Sequence, residues 1–215
     1  MFTRPDAPDK LETKGLQLVR RDSCPLVREA SSAVLDAMMF ERDAALATDV
    51  ARSYVADLLR GRVPMESLVV SKALRSGYKN DQQPHLVVAR KLERRRGQPV
   101  ASGERVPFVY VKDPGATSLS QKAEDPAHVR EHGLQLDVLH YLEHQLQQPL
   151  FQLLELVVDD PARALLDTDD IKPLLAAARL ADAGEKREAK RVRVNLVNRQ
   201  SEITRFFSKA SGAPP

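Results

Sequence analysis

The sequence predicts an α+β fold, mostly α-helical, with a few short strands and a flexible C-terminal tail. Three observations carry this expectation. Apolar residues recur at helical spacing in three stretches, two short runs rich in β-branched and aromatic residues lie between them, and beyond residue 160 the chain turns acidic and then basic. Of 215 residues, 42% are apolar, enough to bury a sizeable core.

The elements follow in chain order. Val27, Ala30, Val34 and Met38 place a helix between Leu26 and Met39, and Cys24-Pro25 marks its start, where proline's fixed φ and missing N–H do no harm. Val50, Tyr54, Val55, Leu58 and Leu59 place a second helix packed on the first. After Gly61, Leu68-Val69-Val70 reads as a strand, and Val106 to Val111 as another that Pro107 confines to an edge or a strand start. Asp113 to Asp125, with its Pro, Gly, Ser and Lys, reads as a loop. Leu139, Leu142, Leu146, Leu150, Leu153, Leu154 and Val157 form a long helical stripe, kinked or broken near Pro149. The packed domain is expected to end near residue 160. One further helix (Pro173 to Leu180) and a flexible basic stretch (Asp182 to Asn198) are expected beyond it.

Several function classes are excluded. No run of 18 apolar residues exists and the N-terminus is polar, so a soluble, intracellular protein without a membrane partner is expected. The single cysteine, Cys24, rules out an internal disulfide framework or a cysteine-based metal cluster within this chain. There is no Gly-rich phosphate loop and no nucleophile elbow. His140 and His144 stand one helical turn apart, but without a third donor nearby they read as a surface pair rather than a zinc site. The net charge of +3 is mild, and its distribution says more: Arg90, Lys91, Arg94, Arg95 and Arg96 form one cluster and Lys186 to Val194 another. Alone, each reads as a solvated helix face.

Arg4 to Val27, RPDAPDKLETKGLQLVRRDSCPLV, resembles a segment of family B DNA polymerases, specifically of the delta catalytic subunit. The same order continues through Glu66 to Leu74, Tyr78, His85, the Arg90 to Arg96 run, Gly103 to Val109, Glu124-Asp125-Pro126 and Asp137 to Glu143. The resemblance implies residues 1–25 as a palm-to-thumb connecting segment, 26–160 as the thumb domain, and 161–198 as an acidic then basic linker. It implies a grip on primer-template duplex through phosphates, with Lys14, Arg20, Arg21, Lys72, Tyr78, Lys91, Arg94 and Arg95 as candidate DNA contacts. For Arg20 and Arg21 an ion pair with Asp22 that pins the thumb to the palm stands as an equal alternative. Asp167-Thr168-Asp169 matches the family's metal-binding palm motif in composition but lies after the thumb. It reads as the acidic N-terminal cap of the helix that Pro173 helps begin. No cofactor is expected in this chain, and Mg²⁺ only in a palm on another chain or upstream. Alone the chain is expected to be inactive.

Within residues 199–209, Gln200, Ile203, Phe206 and Phe207 match the motif by which replication proteins bind the sliding clamp PCNA. The spacing brings Ile203, Phe206 and Phe207 to one side of a single tight helical turn, with Gln200 docking separately, in a tail expected to be disordered. The implied function is the thumb and C-terminal portion of a delta-like polymerase tethered for processive replication. The partners are then duplex DNA, the clamp and a catalytic portion, and the site of action is the nucleus or a viral replication compartment. The alternative is a non-catalytic DNA- and clamp-binding adaptor derived from a thumb.

Overall fold

The computed structural model describes residues 23–97 and 99–210, and of residues 196–199 and 201–210 the backbone alone. Lys14, Arg20 and Arg21, with Asp22, lie outside the described residues. The chain begins with α1 (Pro25–Asp36), Pro25 in its first turn and the buried Cys24 as its N-cap residue. A π-helical turn (Ala37–Glu41) closes on Arg42 in the left-handed region, φ 54°, and reverses the chain into α2 (Ala44–Leu59). Asp43 caps α2 by accepting from the N–H groups of Ala45 and Leu46. Burial of Leu26, Val27, Ala30 and Val34 against Ala47, Ala51, Val55 and Leu58 makes this helical pair the first half of the core.

Strand β1 (Val70–Ala73) starts two residues later than the sequence expectation, because Met65–Leu68 is a 3₁₀ turn. After α3 (Pro84–Arg96), β2 (Arg105–Tyr110) and β3 (Ala123–Glu124) complete an antiparallel sheet of order β1-β2-β3. Although β2 is central, β1 pairs with its first half (Ser71 opposite Pro107) and β3 only with Val109 and Tyr110. Pro107 therefore sits where β2 has a neighbour on one side alone, and its missing N–H breaks no ladder bond.

Next come α4 (Pro126–His132), α5 (Val138–Tyr141) and α6 (Gln147–Leu154), the last two joined by a π-helical segment, Leu142–Leu146. The break foreseen at Pro149 takes this form: proline cannot donate to the carbonyl four residues back, and the wider turn upstream accommodates it. Leu139, Leu142, Leu146, Leu150, Leu153 and Leu154 are buried as the periodicity predicts. Tyr141, wholly buried, accepts from the Tyr110 N–H through its hydroxyl at 2.9 Å and so satisfies a donor that would otherwise be stranded in the core.

Two boundaries differ from expectation. The core does not stop near residue 160: α7 (Pro161–Leu166) and the start of α8 (Ile171–Ala210) contribute Leu165, Ile171 and Leu175 to it. The basic stretch from Asp182 to Asn198, expected as flexible linker, is helical throughout as part of α8. Its Ala, Glu, Lys and Arg are strong helix formers, no proline lies between Pro173 and the end of α8 at Ala210, and the pairs Asp182–Lys186 and Glu188–Arg191 lie along the helix at 2.7 and 2.8 Å. The Thr168 hydroxyl accepts from Ile171 N–H at 3.3 Å and Asp167 pairs with Lys172 at 2.6 Å, so Asp167-Thr168-Asp169 is the N-terminal cap of α8.

Candidate nucleic-acid interface

The end of β1, the loop that leaves it and the start of α3 enclose an open groove of about 400 Å³, lined by Ser71, Lys72, Ala73, Arg75, Tyr78, Gln83, His85 and Arg105. The β1–β2 register sets Arg105 opposite Ala73, and Arg105 Nε donates to Ser71 Oγ at 3.1 Å while its Nη2 donates to the Ser71 carbonyl. These bonds fix the guanidinium stem beside Lys72. Tyr78 shapes the loop: its hydroxyl accepts from Arg75 N–H at 2.9 Å and lies 3.2 Å from the Ala73 carbonyl. Leu74 is held to the segment entering β2 by bonds to Glu104 and Gly103, so the loop carrying Arg75 is anchored at its root.

His85, in the first turn of α3 behind Pro84, closes the back of the groove. It is 2% exposed, with Nε2 at 2.9 Å from the Tyr78 hydroxyl and the two rings edge-on at 5.3 Å. Burial, and then the charge on Lys72, push the His85 imidazole below its usual pKa, so the ring is neutral near pH 7. Its Nδ1 has no hydrogen-bond partner. If Tyr78 gives its proton to Ala73, Nε2–H must donate to Tyr78 and Nδ1 is a bare acceptor; in the other tautomer Nδ1 is an unused donor. Either way a buried polar atom is unmet in the groove wall.

The charge balance is the notable property. Among the described residues no carboxylate pairs with Lys72, Arg75 or Arg105, so three cations ring one groove without a counter-charge.

The other expected contacts are placed differently. Lys91 donates to the Ala123 carbonyl at 2.8 Å and to Glu124 at 3.1 Å, and Arg95 makes a two-pronged pair with Glu124 at 2.7 and 3.1 Å. Glu124 is almost fully buried, so these cations are held inward as the partners of a buried carboxylate. Burial alone would raise the Glu124 pKa, but Arg95, the Asp125 N–H and Lys91 together bring it down to about 2. Arg94, on the other flank of α3, is exposed, with no ion pair among the described residues. Arg75 and Arg105 were not singled out in the sequence because they lie outside the dense basic run; Arg75 follows β1 directly, and the pairing of β1 with β2 brings Arg105 to Lys72.

His140 corrects the expectation of a surface pair. It is buried, its ring 3.9 Å from that of Tyr110, while His144 is exposed with ring centroids 5.0 Å away. Desolvation, with the His144 charge next, pushes the His140 pKa down to about 4. Asp137, N-cap of α5, is bound by Lys122 at 2.7 Å beside it. The residues of the expected clamp motif lie in the last part of α8, where the backbone is helical; Gln200 is exposed, and the side chains of Ile203, Phe206 and Phe207 are outside the described set.

A family model for DNA polymerase family B matches residues 1–157. This chain belongs to DNA polymerase family B. A DNA polymerase of Paramecium bursaria Chlorella virus NY2A is 41% identical over 97% of this chain, which spans 23% of that polymerase. DNA polymerase delta catalytic subunits of Dictyostelium discoideum and Caenorhabditis elegans are 36% and 38% identical, each over 63% of this chain. This family B chain spans only 12% and 13% of their lengths. Among solved structures, the family B DNA polymerase of the archaeon Pyrobaculum calidifontis shares the fold, with a TM-score of 0.54 and 23% identity over 64% of this chain and 18% of that one. Family B membership accounts for the order of short motifs through Glu143 that the sequence displays.

Proposed function

We propose that this family B region is a polymerase thumb that grips primer-template duplex through its phosphates, and that the end of α8 tethers it to the sliding clamp PCNA. The observation that carries the reading is the uncompensated trio Lys72, Arg75 and Arg105 around one groove beside Tyr78. Phosphates neutralise such cations without reading bases, which gives a sequence-independent, salt-sensitive hold. Arg94 and the segment bearing Lys14, Arg20 and Arg21 extend the same role, whereas Lys91 and Arg95 act through Glu124 to hold α3 on β3.

Clamp tethering rests on Gln200, Ile203, Phe206 and Phe207, whose aromatic pair is the usual source of binding energy at such contacts. The polymerase names borne by the viral and delta relatives support a place in DNA replication, nuclear or viral. The carboxylates of Asp167 and Asp169 do not fit a two-metal centre: they stand at the start of α8, with Asp167 on Lys172. No nucleotidyl-transfer step is assigned to them, and that chemistry belongs to a palm elsewhere.

The test is binding of the chain to fluorescent duplexes of several sequences across a salt series. Affinity that falls steeply with salt and ignores sequence is the expected result, and affinity flat in salt would overturn the grip.

A further inference from the structure

Away from the groove, α4 carries the run His128-Val129-Arg130-Glu131-His132 on a helix fixed at both ends. Asp125 caps it by accepting from His128 N–H at 3.3 Å, Gly133 ends it in the left-handed region, and Pro126 and Val129 are buried beneath. Arg130 is drawn off to Glu66 at 2.5 Å and so does not occupy the flank of His128, Glu131 and His132, where Glu131 Oε2 lies 3.9 Å from His132 Nδ1. The residues are spaced i, i+3 and i+4, so all three project over the same turn. The two imidazole centroids are 3.8 Å apart, and one donor atom from each of the three residues lies within 4.8 Å of the others.

The orientation of His132 adds an independent argument. Its Nδ1 is 3.1 Å from the His128 carbonyl oxygen, which can only accept, so Nδ1 carries the hydrogen and Nε2 presents its lone pair outward. An imidazole whose second nitrogen donates to a carbonyl is held as metal-binding histidines are held.

We infer that His128, Glu131 and His132 form a site for a divalent transition-metal ion of the zinc class. Two imidazoles and one carboxylate suit zinc, nickel or copper rather than magnesium or calcium, so the site is distinct in chemistry from any magnesium used in polymerisation. Bonds of about 2.0–2.2 Å require the three donors to close in, and Glu131 and His132 are exposed and can rotate without moving the backbone. Water completes a tetrahedral shell. The ion then bridges one turn of α4 and staples the helix that follows Glu124.

The experiment titrates the full chain with Co²⁺, read by its visible absorption, and with Zn²⁺ by calorimetry. One equivalent is expected to bind with a tetrahedral cobalt spectrum. His132→Ala and His128→Ala should each weaken it by roughly tenfold or more, and Glu131→Gln by less. His144→Ala should bind as the parent does. These are surface changes, and circular dichroism checks that each variant is folded. Absence of saturable binding below about millimolar metal, unchanged affinity in both histidine variants, or loss on His144→Ala would each overturn the site.

Discussion

Neutralising the groove tests the grip most directly. Lys72→Gln, Arg75→Gln and Arg105→Gln keep polar side chains of similar reach and remove three charges that no carboxylate balances. Each phosphate neutralised by a protein cation contributes about 0.9 to the slope of log affinity against log salt, so the triple variant should lose about 2.7 from the slope. Between roughly 50 and 200 mM salt, a fourfold range, the parent should therefore lose about 40-fold more affinity than the variant does. The assay is fluorescence anisotropy on a short duplex at five or six salt concentrations, with thermal melting as the check on folding. That check matters because Arg105 also bonds Ser71 across the β1–β2 pair. A variant with an unchanged slope would refute the assignment, whatever its affinity at one salt concentration. A comparison variant, Arg90→Gln, removes a cation paired with Asp81 at 2.8 Å and should change the slope by much less.

Three further outcomes are expected. Phe206→Ala with Phe207→Ala should abolish calorimetric binding of the chain to PCNA and leave duplex affinity within error of the parent; equal loss of both would mean the tail belongs to the fold. Glu124→Gln should destabilise the chain by about 3 kcal/mol in urea melts, because it leaves Lys91 and Arg95 without their buried partner. The Glu124 pKa is lowered in the fold, from 4.5 to about 2, so its stabilisation is complete above pH 4.5 and lost as pH falls towards 2, and the variant should lack that part of the acid transition. His140, neutral in its burial, titrates near 4 in the fold against 6.5 unfolded, so stability should fall as pH drops from 6.5 to 4. His140→Phe, which keeps a ring against Tyr110, should flatten that segment of a stability-against-pH curve, and an unchanged curve would contradict the burial argument.

What was legible in the sequence follows the reach of the interactions involved. Helices α1 and α2 and the stripe from Leu139 to Leu154 were readable because their periodicity is local, and Pro149 marked its own break. The π turns at Ala37–Glu41 and Leu142–Leu146 were not, since they arise from how neighbouring helices must pack. Leu165, Ile171 and Leu175 were left outside the expected domain because acidic residues surround them, and only the docking of α7 and α8 on α2 shows that they are core. Lys72 and Tyr78 were candidates through the family resemblance, and both line the groove. Arg75 and Arg105 are 30 positions apart and meet only through strand pairing, a non-local event that single residues do not announce.

The basic residues also divide by a criterion that density in the sequence does not supply. The crowded run from Arg90 to Arg96 looks like the strongest DNA signal, yet Arg90 meets Asp81, Lys91 and Arg95 meet Glu124, and Arg96 lies 3.5 Å from Asp125. Those charges already have carboxylate partners, and a phosphate would have to displace a carboxylate, two of them (Glu124 and Asp125) almost fully buried, to reach them. The groove cations have no carboxylate competitor among the described residues, and Arg105, though it donates to Ser71, keeps its charge uncompensated. On this criterion the proposed phosphate grip falls to the sparse trio without carboxylates rather than to the dense cluster with them. Within that run Lys91 and Arg95 hold α3 against the edge strand through Glu124, and Arg96 reaches the α4 cap residue Asp125.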